Sequence, residues 1–450
     1  DTAPARPVKH PRLRELVLLA GVSVIYAMGF VQLGRPALIG FVSFAGIFAV
    51  LHVGMRFLAP RADPLLLPVA ALLVAIGLLQ IAAIDQAQIS SGRTDWRSLG
   101  ELQAAWLGLA AAAFLATLWI FRAGLGAAWQ LRYTLALLGI LAMLSPLLPG
   151  VGHTVNGARL WLRVGGLSFQ PGEAAKVLLV LFFAAYLSER RELLTYPSRK
   201  IGPIPVPDPR YIAPLLGVVA LALLTFVQQN DLGSSLLFFA TFMAILWVAT
   251  GRLFFPVAGL AMFGAGVWIA LKTFSHVNVR FQAWLNPYHD PQVSGYQILM
   301  GQYAMAEGRI GGVGLVGESA QPNIIPFAWT DFILAAIGHT FGLAGVLVIV
   351  IAFVVLLTRV FYVALRSRSD LHALAAAGFG IVIAVQTLLI AGGVLRILPL
   401  TGVTLPFVSY GGSSLLANFV ILAIILAISN SEGTTLHPAE QREAALGGVR

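Results

Sequence analysis

Residues 332–358 read FILAAIGHTFGLAGVLVIVIAFVVLLT, an apolar run whose one ionisable side chain is His339. The run is longer than the roughly 17–25 residues that a helix needs to cross the hydrocarbon core of a bilayer. A helix of this length and composition has no polar face to turn toward water. The stretch therefore predicts a membrane-spanning helix.

Similar runs recur along the whole chain and decide the fold class. The composition is 58% hydrophobic and 11% charged, a balance typical of polytopic membrane proteins. We predict an all-α protein with about 12 transmembrane helices, each of a length that spans a bilayer. Two of the spans are short, 133–148 and 173–188, which leaves a broken or re-entrant segment open for one of them. The predicted spans are 15–33, 36–55, 65–84, 103–121, 133–148, 173–188, 211–227, 232–250, 254–271, 332–358, 372–392 and 406–428.

The placement of lysine and arginine gives the orientation of these spans. With the N-terminus in the cytoplasm, the alternate segments on that side hold most of the basic residues, as the positive-inside rule expects. The weakest of these segments is the turn 251–253, which holds only Arg252. The topology puts both chain ends in the cytoplasm and explains the net charge of +10, so nucleic-acid binding is not indicated.

The same spans divide the chain into an N-terminal extension, a membrane core and one large loop on the outer face. The predicted division is 1–14 for the cytoplasmic N-terminal tail, 15–60 for a two-helix extension, 61–272 for spans three to nine, 273–331 for the large extracytoplasmic loop, 332–429 for spans ten to twelve, and 430–450 for a cytoplasmic C-terminal tail.

The loop 273–331 is polar and glycine-rich, and long connections of this kind are more often functional than spacers. It holds Asp290 beside Pro291, within the run NPYHDP at 286–291. An Asp-Pro pair commonly starts a turn, so the bare pattern leaves a purely structural Asp290 open. The segment 295–307 has the pattern of an amphipathic helix lying along the membrane interface.

Polar residues mark the starts of four spans that begin on the predicted outer face. Glu173 and Lys176 open the sixth span, Asp231 the eighth and Asp331 the tenth. The twelfth span begins with the run PFVSYGGSS at 406–414. The candidate residues in that run are Ser409, Gly411, Gly412 and Ser413.

Four helix N-termini at one face offer unpaired N–H groups and positive dipole ends, which suit an anionic head group. Lys176 adds a full charge, and Arg163 lies in the loop just before it. Each motif also has a plainer interpretation. Asp231 and Asp331 fit helix caps, and the glycine-serine run fits close packing of helices. A lysine one turn inside a span, near a glutamate, favours a functional role.

These motifs, in this order over residues 157–429, resemble the SEDS family of cell-wall polymerases, the RodA and FtsW proteins. Residues 61–67, RADPLLL, are similar to the actinobacterial-type RodA-like members. The motifs that carry the resemblance are FQPGEAAK at 169–176, NDLG at 230–233, DP at 290–291 with GYQ at 295–297, TDFI at 330–333, and LPFVSYGGS at 405–413.

The resemblance implies a peptidoglycan glycosyltransferase of the bacterial plasma membrane that polymerises lipid II, for cell elongation or division. It implies a class B penicillin-binding protein as partner. The family's catalytic aspartate falls on Asp290, and Glu173 and Lys176 match positions that the family is believed to need. A Mg²⁺ or Mn²⁺ ion shared with a diphosphate needs only one or two carboxylates, so Asp290 is the candidate metal ligand if there is one.

Two departures from the family pattern leave roles unassigned. Trp329 stands where many members have histidine, and the run IGHTFG at 337–342 replaces a usual Glu-Glu-Leu-Gly run. Two other functions stay open from the residues alone. Twelve spans suit a flippase or transporter of lipid-linked precursors, although transporters place their ionisable groups near the midplane. A non-catalytic scaffold would use the same motifs for packing.

Overall fold

The computed structural model describes residues 11–34, 37–91, 98–155, 157–164, 167–195, 199–201, 204–206, 208–316 and 325–433. The chain is helical, as expected. Most of both predicted tails lies outside the described residues, as does part of the large loop. The helices described are α1 (Pro11–Gln32), α2 (Ala37–Leu58), α3 (Leu66–Ser90), α4 (Leu99–Ile120), α5 (Gly126–Gln130), α6 (Arg132–Leu144), α7 (Pro171–Thr195), α8 (Pro209–Gln228), α9 (Leu232–Thr250), α10 (Phe254–Thr273), α11 (Ser275–Leu285), α12 (Tyr296–Gly308), α13 (Ile333–Arg366), α14 (Asp370–Val394) and α15 (Gly412–Gly433).

Eleven helices in the described part of the chain are long and apolar enough to cross a membrane. The all-α membrane fold is confirmed, and the segment predicted as a short span at 133–148 is a shorter apolar helix, formed by α6 and the short 3₁₀ turn Ser145–Leu147. The span predicted at 173–188 is not broken. It lies inside the 25-residue α7. This helix continues past the apolar segment through the polar residues 189–195.

Two small antiparallel sheets interrupt the helices. The strands β1 (Gly152–Val155), β2 (Ala158–Val164) and β3 (Leu167–Phe169) form a meander between α6 and α7, and Leu162 of β2 pairs with Phe169 of β3. The strands β4 (Arg199–Ile201) and β5 (Ile204–Val206) form a hairpin between α7 and α8. The meander matters for the site, because β3 leads directly into the start of α7.

The helix α13 is broken at Gly342, whose backbone lies at φ 65° and ψ −165°. Residues 309–314, which follow α12, fill the break and satisfy its exposed backbone groups, as irregular backbone at membrane depth requires. The close approach needs glycine, since a Cβ on Gly342 would lie 2.4 Å from the backbone nitrogen of Gly312. The bonds are Val313 N to His339 O at 3.0 Å, Gly314 N to Thr340 O at 3.0 Å, Leu343 N to Arg309 O at 2.9 Å and Ala344 N to Ile310 O at 3.1 Å.

The large loop is therefore more ordered than its glycine content suggested. It contains the predicted helix as α12, although Ile298 and Leu299 are buried against the protein instead of lying on its surface. It also contains α11, which the sequence pattern did not indicate. In its described part the loop thus holds two helices that flank Asp290, of which α12 packs on α13 and α11 packs on α10.

The N-terminal helices α1 and α2 are joined to the core through buried polar contacts. The carboxylate of Glu15 accepts from Arg12 and from the Nδ1 atom of His52, at 2.7 Å for the histidine. The Arg12 guanidinium also donates to the Ala62 carbonyl at 2.9 Å. Both Glu15 and His52 are buried, so these bonds stabilise charges that would otherwise be costly at membrane depth. Their position, next to the loop that precedes α3, fixes the two helices on the core.

Candidate active site at the starts of four helices

The buried ammonium of Lys176, in the second turn of α7, has two side-chain partners. Lys176 Nζ lies 2.7 Å from Glu173 Oε2 and donates to Gln386 Oε1 at 3.0 Å. Gln386 belongs to α14, and its amide nitrogen donates to the carbonyl of Thr404 at 2.7 Å. Lys176 is therefore not a lysine that extends to the membrane surface, but part of a polar chain linking α7, α14 and the segment before α15.

Residues 395–411, which we call the connecting segment, join α14 to α15 and contact the starts of α9 and α13. At α9 the contact is with backbone, because a Cβ on Gly233 would lie 2.0 Å from the Thr401 carbonyl oxygen. At α13 the hydroxyl of Ser409 donates to the Thr330 carbonyl at 2.6 Å. Tyr410 N donates to the carbonyl of Trp329 at 2.7 Å. The helix starts that the sequence marked as unusual are thus held at one end of the bundle.

The glycine-serine run at the start of α15 makes the remaining contacts. The backbone N–H of Gln170, just before α7, donates to the Ser413 hydroxyl at 2.8 Å. Gly411 N donates to Gln103 Oε1 of α4 at 3.2 Å, and the indole of Trp106 lies directly against Gly412. For Gly411 and Gly412 the described contacts are those of close packing, while Ser413 joins α15 to α7.

Asp231 is a helix cap, as the plainer interpretation of the sequence had it. Its Oδ1 atom accepts from the backbone N–H of Ser234 at 2.9 Å, in the first turn of α9, and its other oxygen accepts from the Ser234 hydroxyl. Burial raises the pKa of the Asp231 carboxyl, and the bonds from Ser234 oppose that rise. The charge of nearby Glu173 also raises it, whereas the charge of Arg280 lowers it.

Asp331 precedes α13 without capping it. The N-cap position is Phe332, and no side chain caps the helix there. The Asp331 carboxyl accepts from the Thr330 hydroxyl at 3.1 Å and from the side chain of Gln297 in α12. Burial raises the pKa of the Asp331 carboxyl, and the positive charge of Arg280 lowers it. Capping of α13 therefore does not account for the position of Asp331.

Asp290 lies between α11 and α12 and is partly exposed. The Asp290 Oδ2 atom accepts from the backbone N–H of Ser294 at 3.1 Å and from the Ser294 hydroxyl at 3.0 Å. These two bonds lower the pKa of the Asp290 carboxyl below its ordinary value. The turn that the Asp-Pro pair predicted is present, and it holds the carboxylate ionised and in one orientation.

The candidate residues do not all meet. Contacts or charges link most of them: Glu173, Lys176, Asp231, Asp331, Ser409 and Ser413. Arg163 is exposed on β2, opposite Ser168 of β3. Among the described contacts neither Arg163 nor Asp290 touches another predicted site residue. Asp290 is linked to the group indirectly, through the elements that flank it, such as α12, whose Gln297 reaches Asp331.

A cavity of about 20 Å³ lies beside Lys176, between α6, α7, α8, α9 and α14. Gln170, Glu173 and Ser234 line it with polar groups, and Phe238 with an apolar wall. Such a volume holds a single water molecule.

The described residues contain no group of three or more histidine, cysteine, aspartate or glutamate side chains that could hold a metal ion. Among the residues that the structure describes, side chains alone therefore build no metal cage.

Three functional candidates were missed by sequence reasoning. Gln386 accepts a hydrogen bond from Lys176. Its signal in the sequence is an isolated glutamine inside an apolar span. Arg280 is an exposed cation on α11 whose charge acts on both Asp231 and Asp331. Gln297 belongs to the quoted GYQ motif, but only the fold shows that it reaches Asp331.

Comparison with known proteins places this arrangement in a family. The family model FTSW_RODA_SPOVE, described as cell cycle protein, matches residues 63–434. The chain is 37% identical over 433 residues to the peptidoglycan glycosyltransferase RodA of Mycobacterium tuberculosis (strain ATCC 25618 / H37Rv), covering 94% of this chain and 92% of that protein. It is also 37% identical over 446 residues to the protein of that name from Mycobacterium leprae (strain TN), covering 97% and 93%.

One solved structure is similar over nearly its whole length. It is described as "Structural coordination of polymerization and crosslinking by a peptidoglycan synthase complex", and the TM-score is 0.65 at 26% sequence identity. The match covers 82% of this chain and 98% of the other. The helical membrane fold and the motifs therefore agree with one another.

Proposed function

The chain belongs to the FTSW_RODA_SPOVE family of cell cycle proteins, and from this premise we propose how it works as a peptidoglycan glycosyltransferase, with Asp290 as its catalytic group. The activity rests on relatives named peptidoglycan glycosyltransferase that align with 94% and 97% of the chain. The substrate is lipid II, a disaccharide-pentapeptide carried on undecaprenyl diphosphate. The product is a glycan strand for growth of the cell wall.

The reaction forms one bond and breaks one. A hydroxyl oxygen of the acceptor sugar attacks C1 of the donor sugar, the bond from C1 to the diphosphate oxygen breaks, and the lipid diphosphate leaves with the bonding electrons. The hydroxyl proton needs a base within hydrogen-bonding reach. Asp290 supplies it, because the bonds from Ser294 keep this carboxylate ionised and partly exposed at neutral pH. A single carboxylate suits direct displacement with inversion at C1.

The leaving diphosphate needs positive charge that is already in place. Lys176 supplies it from the second turn of α7, with the N-termini of the four helices around it. The observation that carries this proposal is the convergence of those helix starts. Ser413 of α15 accepts from the backbone before α7, Ser409 of the connecting segment donates to the backbone before α13, and the buried ammonium of Lys176 bonds to α14 beside them. Lys176 is held by Glu173 and Gln386 in the structure, so a bound diphosphate exchanges partners with one of them.

Mg²⁺ or Mn²⁺ is part of the proposal only as an ion carried with the diphosphate, where it would add positive charge beside the leaving group. Asp290 would hold such an ion only in place of acting as the base, because the acceptor and the leaving group lie on opposite faces of C1. Removal of divalent cations by a chelator is then expected to lower activity without unfolding the protein.

The proposed setting follows from the same site. The chain is a multi-pass membrane protein, and the positive-inside rule favours the site on the outer face of the plasma membrane, with both termini in the cytoplasm. The similar solved structure is described as coordinating polymerization with crosslinking. This supports a class B penicillin-binding protein as the partner that crosslinks the new strand.

A flippase for lipid-linked precursors is the second candidate, because α13 is a broken helix and transporters use broken helices at their sites. Here residues 309–314 seal the break with backbone hydrogen bonds, and the charged groups lie at the helix starts. The two functions are separated by offering labelled lipid II to the purified protein and its partner. An enzyme forms glycan polymer in detergent, whereas a flippase forms none and moves the label across a vesicle bilayer.

A further inference from the structure

Arg396 and Trp284 are joined by a reciprocal set of hydrogen bonds across 112 residues of sequence. The Arg396 guanidinium donates to the carbonyl of Trp284 at 3.0 Å and to that of Leu285 at 2.9 Å. In return the indole N–H of Trp284 donates to the Arg396 carbonyl at 3.1 Å. The set connects the end of α11 to the connecting segment.

The location explains the choice of residue. Trp284 and Leu285 are in the last turn of α11, where backbone carbonyls lack partners within the helix. A cation is favoured there by the helix dipole, and the planar guanidinium reaches two carbonyls together. Arg396 thus acts as a cap on α11 supplied by a distant part of the chain.

Arg396 adopts a backbone conformation that arginine disfavours. Its φ is 59°, in the left-handed region where a Cβ is crowded. Such conformations persist when surrounding contacts fix them, and they gather at functional sites. Here the conformation of Arg396 is fixed by two hydrogen bonds. One runs from the indole N–H of Trp284 to the Arg396 carbonyl, and the other from Ile397 N to Gly392 O at 2.7 Å.

Only a short, tight turn separates this cap from Asp290. The buried Pro287 begins a 3₁₀ turn directly after α11, and Asp290 follows it. Gly295 N donates to the Asp290 carbonyl at 2.9 Å, and a Cβ on Gly295 would lie 2.0 Å from the Pro287 carbonyl oxygen. The turn from α11 to α12 therefore transmits the position of the end of α11 to the carboxylate.

We propose that Arg396 is a positioning residue, which holds Asp290 over the acceptor hydroxyl by capping α11. This inference rests on the proposed function. The connecting segment carries Arg396 near its start and, at Thr404, the contact with Gln386 and hence with Lys176. Arg396 thus ties the base to the group that receives the leaving diphosphate. Misplacement of a catalytic group by about 1 Å lowers the rate on the order of 100-fold.

The test compares Arg396→Gly, Arg396→Ala and Arg396→Lys. This series distinguishes the effect of the left-handed backbone from the effect of the guanidinium. Glycine removes the guanidinium and relieves the strain of the left-handed backbone, whereas alanine removes only the guanidinium. Lysine keeps the positive charge on a single ammonium group in place of the planar guanidinium. The full-length variants are assayed with the partner penicillin-binding protein on lipid II, for kcat, KM and thermal unfolding. Trp284→Phe removes the single indole bond, and Trp268→Phe, on the exposed face of α10, is its matched control.

We expect Arg396→Gly and Arg396→Ala to lose kcat on the order of 100-fold, with KM changed less than about threefold, because the reacting groups are misaligned while binding persists. Arg396→Lys should recover part of the loss, Trp284→Phe should lose about tenfold or less, and Trp268→Phe should match wild type. Hydrogen exchange at residues 284–295 should speed up in Arg396→Gly. A merely structural Arg396 would instead lower kcat in step with thermal stability, with Arg396→Gly close to wild type.

Asp290→Ala, assayed beside these variants, separates the two claims. If Asp290→Ala is inactive and Arg396→Gly has wild-type kcat, the positioning inference is overturned and the proposed function stands. If Asp290→Ala is as active as wild type, Asp290 is not the base and both claims fall. An inactive Asp290→Ala with a kcat-specific loss in the Arg396 series supports both.

Discussion

The ammonium of Lys176 donates a hydrogen bond to the side-chain oxygen of Gln386 at 3.0 Å, although the two residues are 210 positions apart. Gln386 is in turn bonded to the Thr404 carbonyl. The contact joins the cation at the start of α7 to the connecting segment before α15. It gives the site a buried positive charge of fixed position, which electrostatic stabilisation of a leaving diphosphate requires.

Replacement of Lys176 tests that charge. Lys176→Met keeps the length of the side chain and removes the cation, so we expect kcat to fall on the order of 100-fold or more. Lys176→Arg should retain part of the activity, because it keeps the charge with a different shape. The measurement is the rate of glycan formation from lipid II. Lys272→Met, at an exposed lysine of α10, is the matched control, and a similar loss there would argue against a specific role for Lys176.

Asp231 and Asp331 are expected to respond differently to the same substitution. Asp231→Asn keeps the acceptor for the Ser234 N–H, so the free energy of unfolding should change little. Asp231→Ala removes the cap and should cost about 1 kcal/mol of stability. Asp331 does not cap α13, so Asp331→Asn should leave thermal unfolding nearly unchanged and lower activity. An Asp331→Asn variant of full activity would limit the site to α7 and the loop.

The pH dependence of the rate tests the Asp290 carboxylate. The N–H and hydroxyl of Ser294 stabilise the ionised form and lower the pKa of Asp290, so the rate should not fall through protonation of Asp290 until the pH is below the ordinary range of aspartate. Ser294→Ala removes the hydroxyl and keeps the N–H, which raises the pKa of Asp290. The acidic limb of kcat/KM is therefore expected to move to higher pH. An acidic limb that stays in place, or moves to lower pH, would contradict this assignment.

The break in α13 predicts a large effect of a small substitution. Gly342→Ala adds a methyl group at a φ of 65° and against the backbone of residues 310–312. We expect it to lower the free energy of unfolding by about 2–3 kcal/mol, as strained positions do. Gly266→Ala is the control, because a Cβ there meets nothing within 4 Å. Equal thermal stability of the two variants would mean that the break is not a fixed feature.

Much of the fold followed from the sequence, because apolar length alone decides which segments span a bilayer. The topology of the spans also predicted that the helix starts marked by Lys176, Asp231, Asp331 and Ser413 lie at one face of the membrane. The break at Gly342 could not be predicted. The break depends on residues 309–314, whose approach is a tertiary contact between segments with no local signal beyond their glycines.

The parts of the site that were missed share one cause. Arg280 and Arg396 look like ordinary basic residues of outer loops, and only packing shows that one acts on Asp231 and Asp331 and the other caps α11. Outside the site, Glu15 looks equally ordinary as the first residue of its predicted span, yet it is buried beside His52. Long-range hydrogen bonds of this kind leave no periodicity for a sequence to display.

The most direct test of the account is glycan-chain formation from labelled lipid II by the purified protein with its penicillin-binding partner and a divalent cation. Asp290→Asn, which keeps an acceptor for Ser294, and Asp290→Ala are compared with wild type, with thermal unfolding as the check that each variant is folded. The account predicts polymer from wild type and a loss of at least about 100-fold in both folded variants, as removal of a general base produces. Equal polymer from wild type and either variant would contradict the central role of Asp290.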